Sequence, residues 1–210
     1  MTDGLDVGDS EFSWGDSLPT LASERLILRQ LVDGDVSGLF AIFSDPDVMR
    51  YWDSGPLKSR GEARLLLEDI REGFRTRRLF QWGIADFASD GAIGTCTIWR
   101  VDPVHRRAEI GFALVREHWG KGFATEAVGR LIRFAFEELD LHRLEADADP
   151  RNDRSLRVLE RLGFRREGYL RERYHVEGEI QDAIILGLLR SEWKPPLVCF
   201  RETEGWCPQW

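Results

Sequence analysis

The sequence predicts an α+β (α/β) fold in which helices are layered on a mixed sheet. Three observations carry that prediction. Short alternating runs bounded by turn residues recur along the chain, and segments with apolar residues every three or four positions are interspersed among them. The last two alternating runs are joined by Glu177-Gly178-Glu179, the composition of a hairpin turn. A chain of 210 residues suits one domain. Hydrophobic residues at 42% and charged residues at 31% are those of a globular protein able to bury a core.

In chain order, residues 1–20 read as an acidic, flexible leader, with Asp3, Asp6, Asp9, Glu11 and Asp16 among Gly and Ser and no Lys or Arg before Arg25. Phe12 and Trp14 are its candidates for docking on the domain. Residues 25–31 alternate as a first strand, and 35–43 open a helical region that reaches Trp52. Ser59 caps a helix running to about residue 77, and Glu62, three residues on, completes a capping box. Residues 80–86, 92–100 and 107–115 are three successive strands. Ala124, Val128, Leu131, Ala135 and Leu139 then recur at spacings of three and four, the strongest apolar stripe of the chain. Residues 142–148 form a short strand. Asn152 or Asp153 caps a helix that buries Leu156, Leu159 and Leu162 and stops at Gly163. Residues 164–174 and 181–189 pair as the hairpin. The domain is expected over 21–193, followed by a tail, 194–210, whose Pro195, Pro196, Trp206 and Trp210 lack periodicity and which packs back or meets a partner.

Composition also excludes function classes. A net charge of −8 opposes non-specific binding to phosphate backbones, so no direct nucleic-acid partner is expected. Cys96, Cys199 and Cys207 form no CxxC pair, and His105, His118, His142 and His175 do not join them at ligand spacing, so free thiols and no metal are expected. No basic region precedes an apolar run at the N-terminus, and no apolar stretch approaches the roughly 20 residues a membrane span needs. A cytoplasmic protein without a membrane partner is the expectation, with a homodimer left open.

The stretch that carries chemistry is Val115-Arg116-Glu117-His118-Trp119-Gly120-Lys121-Gly122-Phe123-Ala124-Thr125-Glu126, between a strand and the amphipathic helix. Two glycines let the backbone approach a bulky anion and turn N–H groups inward, and the helix behind adds unpaired amides and the positive end of its dipole. A pyrophosphate is the natural guest; the alternative is a tight turn using Gly for geometry alone. GxxxxGK[ST] fails because position 115 is Val and Lys121 precedes Gly, and GxGxxG fails at Thr125.

Ala108-Glu109-Ile110-Gly111-Phe112-Ala113-Leu114 and Trp119-Gly120-Lys121-Gly122-Phe123-Ala124-Thr125-Glu126-Ala127 together resemble the core of the GNAT superfamily. Asn152-Asp153-Arg154-Ser155, Leu162-Gly163-Phe164 and Glu167-Gly168 continue the match in order. Leu26-Ile27-Leu28-Arg29 resembles the opening strand, and Asp182 through Glu192-Trp193 the closing one. The pattern is that of RimJ/RimL-type ribosomal-protein N-acetyltransferases over roughly residues 21–193. Glu117 is a departure, because many members carry Gln or Arg there.

The resemblance implies a mixed, mostly antiparallel central sheet flanked by helices, with a splayed strand pair holding acetyl-CoA as cosubstrate. The amides of Gly120, Lys121, Gly122, Phe123, Ala124 and Thr125 would cradle the pyrophosphate, with the Thr125 hydroxyl added. The strand ending at Leu114 and Val115 would pair with the pantetheine arm, and a backbone N–H near Phe112 and Leu114 would polarise the acetyl carbonyl. Glu109 is the acid–base candidate; its alternative is an outer-face carboxylate paired with Arg106 or Arg107. Asn152 would bond the pantetheine or a water, and Ser155 would protonate the leaving sulfur or only support its helix turn, with Tyr169 as the competing acid. Arg151, Arg154, Arg157 and Arg161 form either a solvated face balanced by Asp153 and Glu160 or a site for the ribose 3′-phosphate. Trp52, Trp82 and Trp99 read as core, Trp52 also as a candidate pocket wall, Cys96 as buried and His118 as a loop support. The implied acceptor is an amine, a ribosomal or other protein N-terminus first, with a polyamine or aminoglycoside as the alternative. A coenzyme-A-binding module without turnover is the competitor from another class.

Overall fold

The computed structural model describes residues 15–87 and 91–195. The docking of Phe12 and Trp14, the thiols of Cys199 and Cys207 and the tail tryptophans lie outside the described residues.

Eight strands form one sheet in the order β1-β2-β3-β4-β5-β6-β8-β7. They are β1 (Leu21–Ala22), β2 (Leu26–Gln30), β3 (Leu79–Asp86), β4 (Gly94–Asp102), β5 (Arg107–Leu114), β6 (Arg143–Ala148), β7 (Arg165–Val176) and β8 (Glu179–Leu189). Every neighbouring pair is antiparallel except β5 and β6, which run parallel. The helices are α1 (Val36–Phe43), α2 (Pro46–Met49), α3 (Arg60–Arg75), α4 (Phe123–Arg133) and α5 (Asp153–Arg161). The helical region expected to reach Trp52 is broken in two, because Pro46 has no N–H to continue α1 and Asp45 caps α2 through its bond from the Asp47 amide. The apolar stripe expected to reach Leu139 is α4 followed by a π-helical turn, Phe134–Glu138. β1 is too short to show a period. Of the segment expected as leader, Leu18 is buried, and the Pro19 carbonyl accepts from the Trp82 indole at 2.8 Å.

Side chains alternate across the strands, with α4 and α5 over one face and α1 and α3 over the other, while β7 is exposed along most of its length. Ala108 and Ile110 of β5 join Val128, Leu131 and Ile132 of α4 and Leu156 and Leu159 of α5 in one core. Leu39, Ile42, Leu67, Ile70 and Ala113 form the other, beneath α1 and α3. Each fully buried Leu or Ile contributes about 1.5–3 kcal/mol. Trp82 and Cys96 are completely buried in the first core, and burial pushes the Cys96 thiol well above its ordinary range. Trp52 is half-buried, edge-on to Phe43, with ring centres 5.5 Å apart.

The departure from a continuous sheet lies between β5 and β6. They pair at Arg107↔Arg143, Ala108↔Leu144 and Glu109↔Glu145 and no further, although β5 continues to Leu114 and β6 to Ala148. Each remains paired on its outer edge, Gly94↔Leu114 on one side and Ala148↔Ile184 on the other. The inner edges therefore splay apart with backbone groups facing a gap. Because the two strands are parallel, the gap opens at their common C-terminal end, where the segments leading to α4 and α5 begin.

Candidate active site

Beyond Leu114 the chain makes one 3-10 turn, Arg116–His118, and reaches two glycines in the left-handed region, Gly120 at φ 73° and Gly122 at φ 82°. A side chain at either would be strained. Gly122 is the N-cap of α4 and offers no side chain to its amides. The backbone N–H groups of Gly120, Lys121, Gly122, Phe123, Ala124 and Thr125 find no acceptor among the described residues. The next amide, Glu126, bonds the Gly122 carbonyl at 3.0 Å. The starts of α3 and α5 are closed by side chains: Ser59 Oγ accepts from the Glu62 amide at 3.2 Å, and Asn152 Oδ1 from the Ser155 amide at 3.1 Å. The mouth of α4 is thus a run of six donors and a positive dipole end, with the Thr125 hydroxyl also free of a partner.

Ser23 and Arg25, which the sequence does not single out, hold this loop from outside. Glu126, whose side chain is only 7% exposed, accepts from Ser23 Oγ at 2.8 Å, the Arg25 amide at 2.7 Å and Arg25 Nε at 2.7 Å. Arg25 also donates to the Lys121 carbonyl at 3.1 Å and lies 4.5 Å from the centre of the Phe123 ring, which stacks on His118. The turn between β1 and β2 is therefore pinned to the loop from outside. Trp119 donates its indole N–H to the Leu114 carbonyl at 2.9 Å and carries the Arg154 guanidinium 4.5 Å above its ring, which ties α5 to the loop. Nothing local to Arg25 assigns it a partner a hundred residues away.

Across the gap, the Asn152 carboxamide oxygen is committed to capping α5, leaving its NH2 for other partners. The Ser155 hydroxyl makes no hydrogen bond among the described residues, so it supports its helix through its backbone alone. Glu109 lies on the sheet face opposite α4 and α5, since its neighbours Ala108 and Ile110 are in the core. It stands at the last β5–β6 pair, and its partner is Arg100, at 2.9 and 3.2 Å from the two oxygens, not Arg106 or Arg107. Arg106 pairs with Asp140, and Arg107 with Asp102 and Glu145. Trp99 is half-buried on the same face, over Gly111, where a Cβ would stand 2.8 Å from the indole. Tyr169 is 54% exposed and bonds Asp182. The arginines in and before α5 divide: Arg151, ahead of the helix, pairs with Asp149 and Glu179, and Arg154 stacks on Trp119, while Glu160 pairs with Arg166 of β7. Among the described residues no three His, Cys, Asp or Glu side chains are grouped to hold a metal, and no helix is long and apolar enough to cross a membrane.

A parallel strand pair that opens toward an uncapped helix mouth can receive an extended ligand along its edges and an anionic group at its end. A family model described as the acetyltransferase (GNAT) domain matches residues 25–165, which contain both features. The chain belongs to the GNAT acetyltransferase family. This GNAT protein is 37% identical over 176 residues to the uncharacterized N-acetyltransferase p20 of Bacillus licheniformis, covering 84% of the chain and 99% of that protein. The spermidine N-acetyltransferase of Vibrio cholerae, solved in complex with CoA and spermine, superposes with a TM-score of 0.71 at 27% identity, over 80% of this chain and 97% of that one. RimJ of Mycobacterium smegmatis, solved in complex with CoA-disulfide, gives 0.73 at 25% identity, over 86% and 90%. The sheet and flanking helices are those of the GNAT fold, and the protein is an N-acetyltransferase. GNAT enzymes draw their acetyl group from acetyl-CoA.

Proposed function

We propose that this enzyme moves the acetyl group of acetyl-CoA onto the α-amine of a protein N-terminus, at the mouth of the β5–β6 splay. The observation that carries the reading is the set of six unpartnered amides from Gly120 to Thr125 beside that gap. The chain's own donors fit a diphosphate: they are consecutive, none is capped, and the glycine backbone leaves the approach clear.

In this reading the Gly120–Thr125 amides hold the pyrophosphate, and the inner edge of β5 at Phe112, Leu114 and Val115 receives the pantetheine arm. Bound there, acetyl-CoA supplies an activated thioester carbonyl. A backbone N–H near Phe112 and Leu114 steadies the negative charge that develops on that oxygen. Asn152 uses its remaining NH2 as a donor toward the coenzyme. Glu109 takes the ammonium proton, directly or through a water, and the free hydroxyl of Ser155 returns one to the departing sulfur. The exposed phenol of Tyr169, already committed to Asp182, is the weaker candidate for that acid.

An α-amine suits a carboxylate base, since its reference pKa of about 7.7–8.0 leaves a useful neutral fraction near pH 7, whereas a lysine at about 10.4 does not. The similarity to RimJ supports the same class. A second reading, a polyamine acceptor, draws on the carboxylates of Glu109, Glu145 and Asp147, which alternate onto one face at the splay, and on the similarity to spermidine N-acetyltransferase. Initial rates of free-thiol release from acetyl-CoA with a Ser-initiated peptide, spermidine and an aminoglycoside separate the two. The peptide is expected to be the fastest acceptor. Turnover of spermidine alone would transfer the assignment to polyamines, and tight acetyl-CoA binding without turnover on any amine would leave a binding module.

A further inference from the structure

Three carboxylates project from the face of the splay opposite α4 and α5, and their charges are not equally available. Glu109 has Arg100 on both oxygens. Glu145 lies between two guanidinium groups, Arg107 at 3.2 Å and Arg143 at 2.7 Å. Asp147 is two residues beyond the last β5–β6 pair, so no strand covers its inner side, and it makes no ion pair among the described residues. Arg100 is felt there only as a distant charge. Among the described residues the group bonded to Asp147 is the neutral Tyr174 hydroxyl, which donates to Oδ2 and leaves Oδ1 without a partner, while the Arg173 guanidinium lies 5.6 Å from the centre of the Tyr174 ring.

The fold goes out of its way to deliver that phenol. Between Leu170, opposite Ala183, and Tyr174, opposite Gln181, β7 spends three residues against one of β8. Glu172 takes a left-handed φ of 53° in this bulge, and the Glu172 amide is held by the Asp182 carboxylate at 2.7 Å. Tyr174 then reaches across β8 to β6. Burial first, and the hydrogen bond to Asp147 second, push its phenol up to about 12, so it remains a donor at any physiological pH.

We propose that Asp147, oriented by Tyr174, is the group that receives the ammonium of the acceptor at the mouth of the splay, leaving Glu109 to take its proton. An incoming cation meets Glu109 and Glu145 each held by guanidinium groups, and Asp147 held by none among the described residues, beside an open edge. The inference rests on the transferase reading above and assigns the acceptor-binding residue within it.

The experiment measures steady-state constants for wild type, Asp147→Asn and Tyr174→Phe with whichever of the Ser-initiated peptide and spermidine the wild type acetylates. Thermal melting and acetyl-CoA calorimetry on each variant serve as controls for folding and coenzyme binding. Asp147→Asn is expected to raise the acceptor KM at least tenfold while the acetyl-CoA dissociation constant stays within twofold. Tyr174→Phe, which frees the carboxylate without removing it, is expected to raise the same KM about threefold. An uncharged acyl hydrazide used as acceptor should lose little with either variant, a selectivity that a general loosening of the sheet would not give. A wild-type acceptor KM in Asp147→Asn, or an equal loss with the hydrazide, overturns the assignment while leaving the transferase intact. A wild type that acetylates no amine overturns the transferase reading instead.

Discussion

Two clusters of hydrogen-bond donors in this molecule differ in whether the chain supplies their anion. Beneath α1, the carboxylate of Asp35 is 2% exposed and accepts from Arg29 Nη1 at 2.8 Å and Nη2 at 2.9 Å, the Val32 amide at 2.8 Å and the Ala92 amide at 3.2 Å. At the mouth of α4, six amides have no such carboxylate; the acidic side chain in that first turn, Glu126, is turned away and bound by Ser23 and Arg25. The first cluster is closed on itself and serves the fold. The second, in the reading proposed above, takes its charge from the coenzyme.

The largest effect expected from this contrast is on stability at the closed cluster. Asp35→Ala takes from the Arg29 guanidinium its bidentate carboxylate and from the Val32 and Ala92 amides their acceptor, and is expected to cost about 3–5 kcal/mol in urea unfolding at pH 7. The pH dependence has a definite sign. Burial by itself would raise the Asp35 carboxyl, but the bonds from Arg29, Val32 and Ala92 outweigh it, and its pKa lies below the ordinary value. A depressed carboxyl contributes fully above its unfolded pKa of about 3.9 and loses that contribution as pH falls through the folded one. The stability gap between wild type and Asp35→Ala should therefore hold from pH 7 to 5 and narrow below about pH 4. A gap that widens in acid would reverse the assignment of the cluster.

Next comes conversion of the open cluster into a closed one. Gly122→Asp places a carboxylate at the N-cap of α4, where it can accept the amides that Gly122 leaves free, as Ser59 does for α3. Asp tolerates the left-handed region better than most residues, and its Cβ would stand 3.4 Å from the Arg25 guanidinium. Folding should survive with a melting temperature within a few degrees. Acetyl-CoA affinity measured by calorimetry should fall at least about 100-fold, roughly 2.7 kcal/mol, through bulk and like charge. Affinity equal to wild type would mean that the pyrophosphate sits elsewhere.

The same contrast explains what could be read from the chain. The strands other than β1, α3 with its Ser59 cap, α5 with its Asn152 cap and the glycine loop are legible because each is written within a dozen residues, in period, cap or glycine spacing. The splay was reached through the family resemblance alone: nothing in residues 107–115 or 142–148 states that pairing ends at Glu109 and Glu145. Asp35 appeared as no more than the start of a helical run, because its partners Arg29 and Ala92 come from separate elements. Glu109 pairs with Arg100 instead of Arg106 or Arg107 for a local reason. The β-bulge between Trp99 and Asp102 turns Arg100, at φ 49°, onto the carboxylate, and bulges leave no periodic trace. Tyr174 and Asp147 meet only through another bulge.

The smallest effect, and the one that refines the comparison most, concerns how the open cluster keeps its shape while unfilled. Arg25 is 45% exposed at its side chain, so its ion pair with Glu126 adds little to global stability. Its geometry matters more: one guanidinium joins the Glu126 carboxylate, the Lys121 carbonyl and the face of Phe123, three points around the two strained glycines. Arg25→Gln removes the charge and the fork while keeping a polar side chain. The melting temperature should drop by only a few degrees. Acetyl-CoA KM should rise about tenfold, equivalent to about 1.4 kcal/mol, with kcat within threefold, because the loop must then be ordered by the coenzyme it binds. Arg25→Lys restores the charge without the planar fork and should recover less than half of that loss. A full rescue by Lys would reduce Arg25 to a counter-charge for Glu126, and the preorganisation of the mouth would have to come from Trp119 and the Phe123–His118 stack alone.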